Sequence, residues 1–302
     1  MRVVSVLPSA TEIVHALGHG SELVGRSEEC DFPPEVKSLP AVMRPRTWDA
    51  DQSSRAIDDR VQRVRGSGES LYELDIDLLR SLDPDLLLTQ DLCRVCSVTD
   101  AEVAAACAKA DVAPRIVSLT PRSLSGVWLS VETVGRALND PEKGRELARR
   151  LRARTAPVRR SSPPPRVAIV EWLDPPILSG LWARDMVRAA GGTAVGLRRG
   201  KAGTRSSWAE IAGLAPDLVV ISPCSFSVDR TRSELANPRL AREVAQAMPP
   251  RGVFLADEAF FSRPGPRLAD GVELLRNLLD GVARPSPMPV EPWPAPAPEA
   301  TA

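Results

Sequence analysis

One pattern occurs twice in this chain and restricts its folds more than any other feature. Leu82-Asp83-Pro84-Asp85-Leu86-Leu87-Leu88-Thr89 and Leu214-Ala215-Pro216-Asp217-Leu218-Val219-Val220-Ile221 each follow a short amphipathic run. In both, a proline stops a helix and an apolar stretch of four residues follows, too short for a helix and suited to a buried strand. Such strands, apolar on both faces, belong to parallel sheets covered by helices. Two copies about 130 residues apart, in a chain of 302 residues, predict two α/β lobes of ordinary domain size.

The rest of the pattern fills each lobe. The first has a strand at 3–7 and a helix at 10–17, with Ser9 and Glu12 at capping-box spacing and Gly18 to end it. A short strand at 23–25 precedes a charged stretch, 40–70, that reads as a surface excursion. Thr99 and Glu102 cap an alanine-rich helix ending at Ala110, and a strand follows at 115–119. The second lobe starts with a strand at 166–170, continues with a helix at 183–190, and closes with a strand at 253–256 and a helix at 266–279. Between them, 123–138 and 141–160 read as helix, broken and restarted at Asn139-Asp140-Pro141. The predicted organisation is an N-terminal lobe (1–120), a helical connector (121–165), a C-terminal lobe (166–284) and a disordered Pro-rich tail (285–302). Ligand chemistry belongs in the cleft where the strand ends of the two lobes meet.

Composition narrows the function. Thirty-nine basic and thirty-nine acidic residues give no net charge, so nothing favours nucleic acid or an anionic membrane. No apolar stretch is long enough to insert in a membrane. Strand residues stand where a secretory signal would be, so a cytoplasmic address is expected.

The residues resemble a known family. Ser5-Val6-Leu7-Pro8-Ser9-Ala10-Thr11-Glu12, Asp31-Phe32-Pro33-Pro34-Glu35-Val36, Trp172-Leu173-Asp174-Pro175-Pro176 and Phe261-Ser262-Arg263-Pro264-Gly265-Pro266-Arg267 are similar, in order and span, to landmarks of the cobalamin-binding substrate-binding proteins of ABC importers, especially their signal-less relatives. The resemblance runs from Arg2 to about Leu279. It implies a class III periplasmic-binding-protein-like fold, with a long helix bridging the lobes and a cobalamin or related corrinoid as the small-molecule ligand. Importer members of the family dock on their permease through one acid per lobe. The matching positions here are Asp77 and Ala209, with Glu210 one place along, which makes ABC permease docking doubtful.

The cysteines are the other chemical signal. Cys93 and Cys96, Cys224 and Cys30 each follow a strand end, so facing lobes would direct four thiols at one cleft. Thiolates ligate soft metals, and four of them suit zinc or an iron–sulfur cluster. Cys107, within an alanine-rich helix, reads as packing. For a flat ligand, Trp48, Trp172, Phe260 and Phe261 follow strands or lie in loops and can offer aromatic faces, while Asp174 and Arg263 supply polar contacts. Two further arginines, Arg46 and Arg230, occupy similar loops. Trp182 and Trp208 introduce helices and read as core. His15 and His19, the only histidines, end the first helix and give no basis for histidine catalysis. Three readings stand open: a cytoplasmic corrinoid binder for cofactor handling or sensing, a thiolate-ligated metalloprotein or enzyme, and an importer subunit.

Overall fold

The computed structural model describes residues 1–46, 52–67, 70–92, 98–160, 163–282 and 289–293. The first lobe runs β1 (Val3–Ser5), α1 (Pro8–Ala16), β2 (Leu23–Ser27), β3 (Ala41–Pro45), α2 (Ser54–Ser67), β4 (Tyr72–Leu74), α3 (Ile76–Leu82), β5 (Leu86–Thr89), α4 (Asp100–Ala110) and β6 (Arg115–Ser118). Its sheet has the order β4-β3-β2-β1-β5-β6, parallel except for β4, which pairs antiparallel with β3 at one edge. Val3, Val4, Leu86, Leu87 and Leu88 are at most 1% exposed. Burial of side chains of this size stabilises by about 1.5–3 kcal/mol each.

The connector is α5 (Leu124–Ala137) and α6 (Pro141–Arg154). It forms a helical hairpin in place of one long bridging helix. Gly135 and Gly144 let the two backbones approach so closely that a Cβ on Gly135 would lie 2.7 Å from Gly144 Cα. Helix α5 packs on α1, and Arg154 of α6 bonds Asp270 and Glu273 of the second lobe, so the hairpin holds both lobes.

The second lobe comprises β7 (Arg166–Leu173), β8 (Pro176–Leu178), α7 (Ala183–Ala189), β9 (Thr193–Ala194), β10 (Thr204–Arg205), α8 (Trp208–Gly213), β11 (Leu218–Ile221), α9 (Val228–Glu234), α10 (Pro238–Ala245), β12 (Val253–Ala256), α11 (Leu268–Leu279) and β13 (Val290–Trp293). Its sheet has the order β10-β8-β7-β11-β12-β13, with β9 beside β7. The central strands β7, β11 and β12 are parallel, whereas β8, β10 and β13 pair antiparallel.

The repeated Pro-Asp has the same task in both lobes. Asp85 accepts the backbone N–H of Arg2, and Asp217 that of Arg166, each at 2.7 Å. Each carboxylate thus ties the start of its lobe's first strand to the strand that follows the proline.

Three sequence expectations need correction. The stretch 40–70 holds β3 and α2 as well as loop. The tail contributes β13, whose pairing with β12 places Pro292 on an edge strand, where a missing N–H is tolerated. Helix α1 begins at Pro8 with Leu7 as its N-cap and no side-chain cap; Glu12 is used elsewhere. The Thr99–Glu102 capping box, by contrast, is formed as expected.

Candidate functional site

The C-terminal ends of the parallel strands in both lobes face one another across a seam, and the groups there are charged. Just beyond β1, α1 presents Glu12, whose side chain is 3% exposed. Arg267, from the segment entering α11, clasps it with two hydrogen bonds of 3.0 and 2.5 Å. Burial pushes the Glu12 carboxyl above its ordinary range, against the pull of Arg267 and Arg263. Beyond β2, Asp31 accepts from Arg263, which also pairs with Glu258 beyond β12. Burial works against ionisation of Asp31 too, but the Arg263 bond and charge outweigh it and hold this carboxyl below its usual value. Arg267 also lies 4.4 Å from the Phe32 ring centre, a cation–π contact.

Helix α2 of the first lobe closes the other side of the seam. Its first residue, Ser54, donates N–H and Oγ–H to Glu234 of the second lobe, both at 2.8 Å. The Trp172 indole N–H, at the end of β7, bonds Ser54 O at 3.2 Å, and its ring lies 5.4 Å from that of Phe226. Arg55 reaches Asp174 at 3.1 Å, Arg205 reaches Asp58 at 2.5 Å, and Arg239 joins Arg55 on Asp174. At this edge lies a pocket of about 290 Å³, bordered by Arg55, Asp174, Pro175, Trp208, Arg239 and Gln246. The buried indole N–H of Trp208 has no acceptor among the described residues.

Trp172, Asp174 and Arg263 thus lie on the seam, as does Arg230, which bonds Gln52 O. Arg46 stays within its own lobe, on Tyr72 O. Phe260 and Phe261 do not offer faces to the cleft. They are 8% and 1% exposed, because the turn after β12 folds them under α11, where the Trp182 indole N–H bonds Phe261 O at 2.7 Å. Trp182 and Trp208 are core, as expected, and Cys107 is buried. Trp48, Cys93 and Cys96 lie outside the described residues.

Cys30 is buried 3.1 Å from Thr11 Oγ1, and burial pushes its thiol up to about 11, so it is not a thiolate here. Cys224, half-buried, follows β11 and bonds Glu171 O through its backbone N–H. Among the described residues no group of His, Cys, Asp or Glu is arranged to hold a metal. Sequence reasoning missed Glu12, Asp31, Arg55, Asp58, Arg205, Arg239 and Arg267 as seam residues. Three of these, Glu12, Asp31 and Arg267, stand within the motifs that carried the resemblance, in the turns and helix starts that follow strands.

This architecture recurs in solved proteins. The chain is similar to a periplasmic haem-binding protein from Pseudomonas aeruginosa (22% identity, TM-score 0.68), over 96% of this chain and 97% of that one. It is similar to the periplasmic haem-binding protein RhuT from Roseiflexus sp. RS-1 in apo form (23%, TM-score 0.65, 93% and 98%). It is also similar to the periplasmic vitamin B12-binding protein BtuF of Vibrio cholerae (20%, TM-score 0.59, 94% and 98%). The fold is that of the class III periplasmic binding proteins. No family model and no curated relative matches the chain.

Proposed function

We propose that this chain is a substrate-binding protein that takes a tetrapyrrole-class ligand, a haem or a corrinoid, between its lobes. The observation that carries the reading is the seam itself: strand ends of both lobes, the tilted Trp172–Phe226 ring pair and the Trp208 pocket meet along one interface crossed by ion pairs. The similar protein from Pseudomonas aeruginosa binds haem and that from Vibrio cholerae binds vitamin B12. A pocket of about 290 Å³ is small for such a macrocycle, since sites for drug-sized ligands span about 300–1,000 Å³. Binding therefore requires the lobes to part, with ligand contacts replacing the ion pairs across the seam.

The test is titration with cobalamin, haem and a metal-free porphyrin, following tryptophan emission. Saturable quenching supports the reading; no saturation up to about 1 mM, equivalent to about 4 kcal/mol, overturns it.

One observation favours delivery without a permease. Both candidate docking acids are engaged: Asp77, exposed on α3, pairs with Arg80, and the Glu210 carboxylate is turned onto the Ser207 N–H and the Ser206 and Ser207 hydroxyls. A processed, longer precursor in the cell envelope supports the importer role; recovery of the chain in the cytoplasm supports cofactor handling.

A further inference from the structure

The zero net charge of the chain conceals a segregation. Residues 121–205, the connector and the first part of the second lobe, hold seventeen basic and seven acidic side chains, so the rest of the chain carries an equal acidic excess. In the fold, six of these basic side chains gather around one carboxylate. Asp185 of α7 accepts the Leu124 N–H at the start of α5 at 3.2 Å and pairs with Arg199 at 3.1 Å. The loop that carries Arg198, Arg199 and Lys201 is fixed beside it: the Gly200 N–H bonds Leu181 O at 3.2 Å, and the Leu181 N–H bonds Lys201 O at 2.7 Å. Arg122 joins from the start of the connector, its carbonyl oxygen 3.7 Å from where a Cβ on Gly200 would lie. Arg184 and Arg188, four residues apart, share the outer face of α7.

All six cations are exposed, whereas Asp185 is 16% exposed and already engaged. Among the described residues no carboxylate pairs with the other five. Like charges held together by backbone hydrogen bonds repel one another, and an array of anions relieves that repulsion. Guanidinium groups take phosphate through two parallel N–H bonds. Two apolar side chains border the patch. Leu129, 52% exposed, stands on the same face of α5 as Ser125 and about 8 Å along the helix from Leu124. Val158, 38% exposed, bonds Ala189 O at the end of α7 through its N–H. Basic side chains bordered by exposed apolar ones suit the boundary between lipid headgroups and acyl chains. A nucleic acid or an acidic polypeptide offers no such layer to Leu129 and Val158.

We infer that this patch is a docking surface for an anionic lipid membrane, on which the chain lies peripherally with its arginines on lipid phosphates. The inference is independent of what lies between the lobes. In the experiment the full chain is mixed with vesicles of phosphatidylcholine, alone or with about 30% phosphatidylglycerol, and the bound fraction is read by co-sedimentation. Binding to the anionic vesicles is at least about tenfold stronger than to the neutral ones in about 0.1 M salt, and falls at least about tenfold in about 0.5 M salt. Arg184→Gln/Arg198→Gln/Lys201→Gln protein binds at least about tenfold more weakly, with an unchanged urea midpoint, since these side chains are exposed. Arg44→Gln/Arg63→Gln/Arg115→Gln protein loses as much charge from exposed positions of the first lobe and stays within about threefold of the parent. No preference for the anionic vesicles, a patch variant that binds like the parent, or equal losses in the two variants overturns the inference. So does a chain that binds a DNA duplex and leaves the vesicles free.

Discussion

The Glu12–Arg267 clasp is the most direct test of whether the seam is formed in solution. Arg267→Met keeps much of the side-chain volume and removes the charge. It leaves Glu12, 3% exposed, with only the 3.6 Å contact to Arg263. Removing one partner of a buried ion pair typically costs about 3–5 kcal/mol. The remaining Arg263 contact offsets part of this, and the lost cation–π contact with Phe32 adds about 0.5–1 kcal/mol. The net expectation is a loss of about 3 kcal/mol at pH 7, read by urea denaturation. Adding Glu12→Gln restores part of it, because no buried charge is then left unpaired. The sign with pH follows from the carboxyl. Burial already raises Glu12 above 4.5, and loss of Arg267 raises it further. The penalty is thus present at pH 7, fades as pH falls through the raised folded-state pKa, and is gone well below 4.5, where Glu12 is protonated in both folded and unfolded chains. A loss below about 1 kcal/mol at pH 7, or one that is equal at pH 7 and pH 4, would refute the reasoning and mean that the lobes stand apart in solution.

Glu29 is also raised, by burial and then by the nearby Glu258 charge, so it weakens the fold as pH rises through its folded-state pKa. Glu29→Gln should increase the urea midpoint at pH 7, with the gain disappearing below about pH 4.5, the ordinary carboxyl value. Cys30, with its thiol at about 11, should resist a thiol reagent at pH 8 in the native protein and react only in denaturant, as peptide mapping of the labelled chain would show. Gly135→Leu should destabilise by at least about 1–3 kcal/mol, since even a Cβ would strike the Gly144 backbone, and near-native thermal stability would count against the close hairpin. Truncation after residue 282 should lower the melting temperature by several degrees, because it removes β13, the buried Val290 and the Arg232–Glu291 pair; an unchanged transition would mean the strand is not held.

What the sequence determined was local. Strand and helix alternation, the two Pro-Asp strands, the Thr99 cap and the division into lobes all follow from propensity, periodicity and turn chemistry acting within about ten residues. Trp172, Asp174 and Arg263 could be singled out because they stand beside strand ends, and a cleft fold gathers strand ends. The exceptions show the limit of that rule. Phe260 and Phe261 also follow a strand, yet a short turn sends them into the core. Glu12 has capping-box spacing from Ser9, yet its carboxylate pairs with an arginine 255 residues away. The edge strands β4 and β13 were likewise hidden: β4 is only three residues long, and the segment with prolines at 289 and 292 has no strand signal until an open sheet edge is beside it. Tertiary structure decided which charges meet, because an ion pair depends on the distance between side chains in space, and no local periodicity encodes the approach of two lobes.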